Sequence, residues 1–148
     1  MMKTILITGC SSGIGYATAQ LLRQDNWHVY TSCRRAEDVE RLRSEGFHSL
    51  QLDITNDEQI QAAIETVIAE FGHLDALFCN AGYGQTGAAE DLCRAALQEQ
   101  FNTNVFGTWP MHQRSNENFP ASAAWSYSGK FQHTGLCSHA MAQCLYQQ

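Results

Sequence analysis

The stretch Thr8-Gly9-Cys10-Ser11-Ser12-Gly13-Ile14-Gly15 decides how this chain folds. Before it, Lys3-Thr4-Ile5-Leu6-Ile7 is a short apolar, β-branched run of the kind that forms buried parallel strands. After it, Tyr16-Ala17-Thr18-Ala19-Gln20-Leu21-Leu22 reads as the start of a helix. A strand, a glycine-rich turn and a helix in that order make a site for the phosphates of a dinucleotide. Gly9 permits the tight turn, Gly13 lets backbone approach a pyrophosphate, and Gly15 lets the helix pack close to the strand. The helix N-terminus then faces the negative charge. The spacing is Gly-x-x-x-Gly-x-Gly, and the flanking strand and helix raise it above an ordinary turn.

Working outward, 148 residues fit one domain with a real core. A net charge of −6, scattered along the chain, argues against a nucleic-acid surface. No apolar run reaches membrane-spanning length, and Met1-Met2-Lys3 leads into too short an apolar stretch for a signal peptide. Cys10, Cys33, Cys79, Cys93, Cys137 and Cys144 form no Cys-x-x-Cys pair. With no export signal, the expectation is a cytoplasmic protein with reduced thiols.

Further along, Trp27-His28-Val29-Tyr30-Thr31-Ser32-Cys33 reads as a second strand. Arg34 and Arg35 stand at its C-terminal end, where such a fold meets the adenosine ribose. An acidic residue there would bind a 2′-hydroxyl, whereas arginine suits a 2′-phosphate, so NADP is favoured over NAD. The alternative is a solvated pair of surface arginines. A short helix over Glu37 to Ser44 stops at Gly46, and Ser49-Leu50-Gln51-Leu52-Asp53 reads as strand three. Thr55-Asn56-Asp57-Glu58 has the form of a capping box with Thr55 as N-cap. Ile60, Ile64, Val67, Ile68 and Phe71 follow at helical spacing as core contacts, ending at Gly72. Leu74-Asp75-Ala76-Leu77-Phe78-Cys79 is strand four, followed by Asn80-Ala81-Gly82. Regular alternation of strands and helices predicts an α/β, Rossmann-like, doubly wound parallel sheet of about four strands in the order 3-2-1-4. Ligands of such sheets sit at the carboxyl ends of the strands, where the Gly9 turn, Arg34, Asp53 and Asn80 all fall.

These motifs, with Asn104 in Phe101-Asn102-Thr103-Asn104-Val105-Phe106-Gly107, resemble the short-chain dehydrogenase/reductase family over residues 1–107. The resemblance implies an oxidoreductase that moves hydride between a nicotinamide dinucleotide and a carbonyl or alcohol. It implies that Gly9, Ser11, Ser12, Gly13, Ile14 and Gly15 hold the pyrophosphate, and that Asp53 and Ile54 contact adenine. Asn80, Ala81 and Gly82 would line the ribose side and steady the sheet. Asn104 would match the catalytic asparagine, which kinks a helix and holds a water in the proton relay. Arg34 and Arg35 look like the NADP-preferring version of the family. Substrate loop and interface helices lie in the family's C-terminal half, so residues 1–107 specify neither substrate nor oligomeric state.

The resemblance fades after residue 107. The family's chemistry uses a tyrosine, a lysine four residues later that lowers the tyrosine pKa, and a serine that positions the carbonyl. None of the five tyrosines is followed by lysine at that spacing, and Lys3 and Lys130 are the only lysines. Tyr127-Ser128-Gly129-Lys130 is one residue short. Composition changes at the same place: of Ile, Leu and Val, residues 108–148 hold only Leu136 and Leu145. Cys137-Ser138-His139 with His133 and His112 lacks structural-zinc spacing, so no metal is expected. Residues 1–107 are thus read as an NADP-binding half and 108–148 as a poorly ordered tail outside the family. The literal chain is expected to be a remnant without turnover, or a non-functional product.

A shifted reading frame is one expectation for the tail, and a genuinely divergent C-terminus is the alternative. Back-translated and read one base later, Trp125 gives Gly, and Ser126 to Gly129 can give Arg-Ile-Leu-Val. Lys130 to Gln132 can give Asn-Ser-Ser, and Leu145 through a TAA stop can give Tyr-x-x-Ser-Lys. The second serine then stands thirteen positions before the tyrosine, as the family has it. A single inserted base near codon 110 accounts for this. Sequencing fresh genomic template from the Val105 codon to well past the stop is expected to show that second frame continuing as family sequence. If it does not, residues 108–148 are a genuine C-terminal segment.

Overall fold

The computed structural model describes residues 2–116. Strand β1 spans Thr4–Thr8, helix α1 Gly13–Gln24, β2 His28–Cys33, α2 Ala36–Ser44 and β3 His48–Gln51. Helix α3 follows over Asp57–Phe71, then β4 Ala76–Phe78 and α4 Arg94–Phe101. A π-helical turn over Asn102–Phe106 joins α4 to α5, Thr108–Asn116. The sheet is parallel throughout and ordered β3-β2-β1-β4. Ile5 lies beside Val29 on one side and Ala76 on the other, so β1 is central and carries the glycine turn at its carboxyl end.

Strand alternation builds two cores. Ile5, Ile7, Val29 and Cys33 pack under Ala19 of α1 and Val39 and Leu42 of α2. Leu6 and Tyr30 face the other way, against Ile60, Ile64 and Val67 of α3 and Met111 of α5. Both faces of the sheet are therefore covered, which is why β1 can be apolar at consecutive positions.

Several boundaries differ from the sequence reading. Thr55 is not the N-cap of α3. Its hydroxyl and N–H both donate to Asp53 Oδ1, and Asn56 caps the helix by accepting the Gln59 N–H at 3.0 Å. Strand β3 stops at Gln51, since the Asp53 N–H turns out of the sheet to Gln59 Oε1. Strand β4 is three residues, bounded by Asp75, whose carboxylate accepts the Thr4 N–H, and by Asn80, whose N–H donates to Thr8 Oγ1. Residues 108–116, assigned above to the tail, form α5, which buries Met111 and Ser115 one turn apart. Arg114 ties α5 to Gln61 of α3 at 2.8 Å. Tyr127, Lys130, His133, Cys137 and His139 lie outside the described residues.

Ile64 is fully buried at the centre of the α3 face. Ile64→Ala is expected to lower unfolding free energy by about 2–5 kcal/mol, since the cavity adds to the lost transfer energy. Urea denaturation followed by circular dichroism measures this.

Candidate cofactor-binding site

The site starts from a junction between β1 and β4. The Asn80 side chain, 4% exposed, donates through Nδ2 to the carbonyls of Thr8 at 3.0 Å and Gly9 at 2.9 Å. Thr8 Oγ1 in turn accepts the N–H groups of Asn80 and Ala81. The end of β4 is thereby fastened to the glycine turn. Asn80 Oδ1 is buried with no hydrogen-bond partner among the described residues.

That junction dictates two of the three glycines. A Cβ on Gly15 would stand 2.5 Å from Asn80 Nδ2 and 2.6 Å from the Gly9 carbonyl oxygen. Gly15 thus makes room for the Asn80 amide, a sharper role than helix–strand packing alone. Gly9, at φ +71°, would push a Cβ to 2.8 Å from Ala81 Cα. Gly13 differs: φ is +65°, yet nothing lies within 4 Å of its Cβ position. It leaves open space above the turn and adopts a conformation that side chains rarely tolerate.

The open space adjoins the start of α1. Ser12 is the N-cap but makes no side-chain capping bond, and the first turn contains no acidic residue. Ser11, Ser12, Gly13 and Ile14 are exposed. Uncapped N–H groups with the positive end of the helix dipole behind them form an anion site. Gly13, with nothing within 4 Å of its Cβ position, keeps the approach to these N–H groups open.

The flanking residues lie along the same edge. Arg34 and Arg35 follow β2 and are exposed. Arg35 is ion-paired with Glu37, while Arg34 lies close enough to Asp53 for its charge to act on the carboxylate. Asp53 is held below the usual carboxylate range, first by the Thr55 N–H and then by its hydroxyl, with Arg34 assisting. Ile54 is buried beside it. Asn104 sits in the π-helical turn, marked by the Gly107 N–H bonding to the Asn102 carbonyl at 2.7 Å. Its side-chain amide closes both ways on Tyr83, accepting the Tyr83 N–H at 3.0 Å and donating to the Tyr83 carbonyl at 2.7 Å. Gly82 lies under this bridge, and a Cβ there would meet Asn104 Oδ1 at 2.9 Å. Burial pushes the thiols of Cys10 and Cys79 up to about 12 and that of Cys33 to about 11, so all three stay protonated near neutrality.

Four further residues shape the site: Thr8 as a hydrogen-bonding hub, Gln59 beside Asp53, Tyr83 under Asn104, and Arg41, which donates to the Ser11 carbonyl at 2.7 Å. Thr8 was visible in the motif itself. The other three are set by tertiary contact. Among the described residues no helix is long and apolar enough to cross a membrane, and no group of three or more His, Cys, Asp or Glu side chains is placed to hold a metal.

A parallel sheet with this turn and crevice defines a Rossmann-like nucleotide-binding fold. A family model described as short chain dehydrogenase matches residues 3–123, and the chain belongs to that family. The match runs past residue 107, where the composition changes. The uncharacterized oxidoreductase YbbO of Escherichia coli is 40% identical over 122 residues, covering 82% of this chain and 44% of that protein. The match therefore spans less than half the length of that relative. A solved 3-ketoacyl-(acyl-carrier-protein) reductase from Brucella melitensis, complexed with NADH, superposes with a TM-score of 0.75 at 28% identity. The alignment covers 79% of this chain and 50% of the reductase. A blue fluorescent protein from a metagenomic library, in complex with NADPH, superposes at 0.69 with 25% identity, covering 80% and 51%. Both cofactors thus occur among the structural neighbours.

Replacing Asn80 by Asp turns a donor to two carbonyls into an acceptor facing them. Burial and those carbonyls raise the pKa of the new carboxyl above its unfolded value of about 3.9. Asn80→Asp is then expected to cost little below pH 4 and progressively more as pH rises toward the folded-state pKa. At pH 8 the loss is expected to reach about 3 kcal/mol. Thermal melts of both proteins from pH 4 to 8 check the sign; a difference independent of pH would show that the amide does not make these bonds.

Proposed function

We propose that this chain carries the dinucleotide-binding half of an NADP-dependent oxidoreductase of the short-chain type, acting on a carbonyl or alcohol. The supporting observation is the uncapped, acid-free N-terminus of α1 at the open Gly13 turn, on the same edge as Arg34 and Asp53. The turn Gly9–Gly15 takes the pyrophosphate, Asp53 and Ile54 take the adenine, and Asn80 to Gly82 take the ribose side. Arg34 reads the 2′-phosphate. Arg35 contributes less, because Glu37 already partners it. When bound, the nicotinamide supplies or accepts the hydride. Asn104, its side chain engaged by Tyr83, fixes the wall of the crevice beside Gly82.

Turnover is a separate matter. The sequence has no tyrosine with a lysine four residues on, so the chain binds cofactor without reducing a carbonyl. A shift of reading frame near codon 110 accounts for the missing pair. A non-functional product is the second reading, favoured by the exposure of Leu97, Phe101, Phe106 and Trp109. An apolar surface of this kind invites association.

Titration calorimetry with NADP⁺ and NAD⁺ tests the binding claim. NADP⁺ is expected to bind more tightly, and Arg34→Ala to reduce that preference about tenfold, the value of one charge-assisted phosphate contact. Equal affinities in the parent chain would overturn the NADP assignment. In the same samples, NADPH oxidation with a carbonyl panel is expected to stay at background. Turnover that disappears with Tyr127→Phe would refute the loss of catalysis.

A further inference from the structure

One charged side chain touches the phosphate-binding turn from outside the motif. Arg41, near the end of α2, donates through Nη2 to the Ser11 carbonyl at 2.7 Å and through Nη1 to Glu45 Oε1 at 2.9 Å. The other Glu45 oxygen accepts the Tyr16 hydroxyl at 2.8 Å, and Gln20 donates to that hydroxyl at 3.0 Å. Asp38 Oδ1 lies 3.6 Å from Arg41 Nη2, and the guanidinium carbon stands 5.6 Å from the centre of the Tyr16 ring. Arg23 completes the frame by donating to the Glu45 carbonyl at 2.9 Å. Tyr16 lies in the first turns of α1, so the network joins the turn, the start of α1 and the end of α2.

We propose that Arg41 is a positioning residue for the dinucleotide site, holding the Ser11 peptide so that the turn is ordered before ligand arrives. The residues that follow make such a tie necessary. Ser12 offers no side-chain cap, Gly13 is at positive φ in open space, and residues 11 to 14 are exposed. In a trans peptide the carbonyl and the next N–H point in opposite directions. Fixing the Ser11 carbonyl on α2 therefore turns the Ser12 N–H to the side away from Arg41. Glu45, held by Tyr16, fixes the guanidinium in turn. Ordering the turn in advance removes an entropic cost from binding. The role concerns the turn, which NAD and NADP share, and not the 2′-phosphate.

The part of this inference that concerns ligand rests on the dinucleotide reading; the part that concerns the turn does not. Amide relaxation of the ligand-free chain therefore comes first. In Arg41→Met the order parameters of Ser12 and Gly13 are expected to fall from about 0.85 toward 0.6 or below. Arg41→Lys, which keeps one donor, is expected to recover part of that loss. Glu45→Gln, which removes only the charge partner, is expected to fall between and serves if Arg41→Met does not fold. In calorimetry Arg41→Met is expected to weaken NADP⁺ and NAD⁺ by the same factor, about tenfold, leaving their ratio unchanged. Unchanged order in the turn would overturn the proposal, as would a loss confined to NADP⁺, which would make Arg41 a phosphate reader. If the parent chain binds neither dinucleotide, the functional reading fails, and the relaxation data still decide what Arg41 does.

Discussion

The Asn80 amide, bonded to the carbonyls of Thr8 and Gly9, is the contact on which the rest of the site depends. It joins β4, one edge of the sheet among the described residues, to β1 and fixes where the glycine turn leaves the sheet. Both carbonyls sit where the strand ladder ends, so they would otherwise be unpaired and costly to bury. Gly15 and Gly9 are consequences of this contact, because any side chain at either position would collide with the amide, with Ala81 or with the turn. Gly13 serves a different need, positive φ beside open space. One motif thus contains two kinds of glycine, and only one is tied to packing.

Electrostatics sharpen the same edge. The chain carries a net charge of −6, yet the start of α1 has no acidic residue, while Arg34 and Arg41 stand near the strand ends. Carboxylates in the neighbourhood are committed: Glu37 to Arg35, Glu45 to Arg41 and Tyr16, Asp53 to Thr55. The arginines offset the charges of Glu37 and Glu45, whereas the Thr55 bonds keep Asp53 ionised. A protein acidic overall can in this way keep an anion-receptive face.

Sheet order and the identity of the turn were legible in the sequence because both follow from short-range patterns. Ile5, Leu6 and Ile7 announce a strand covered on both faces, and the glycines mark the turn after it. Details failed where neighbours compete for the same bond. Thr55 and Asn56 are both good caps, and the choice fell to Asn56 because Asp53 captured the threonine hydroxyl. Helix α5 escaped notice because its anchoring rests on Met111 and Ser115, too few apolar positions to set a period. Arg41 is a surface-type residue on an ordinary amphipathic helix, and nothing local in Val39-Glu40-Arg41-Leu42 signals a bond to Ser11 thirty positions earlier.

Support for the strand ends is divided unevenly along the chain. The Gly9 turn is fastened by contacts among Thr8, Gly9, Asn80 and Ala81, while Ile54 after β3 packs against Gly107 and shares a core with Met111. The crevice wall beyond Gly82 depends instead on a distant helix: Asn104 reaches back to Tyr83 from a π-helical turn. A π-turn gives up regular α-helical pairing, and here it coincides with the residue that bridges to the loop after β4. Leu97, Phe101 and Phe106 of the same segment remain exposed. The sheet beneath the turn is thus packed on both faces, while the loop after Gly82 is held at Tyr83 by the Asn104 amide and by Gln100, which donates to the Tyr83 carbonyl at 3.4 Å, beside open apolar surface.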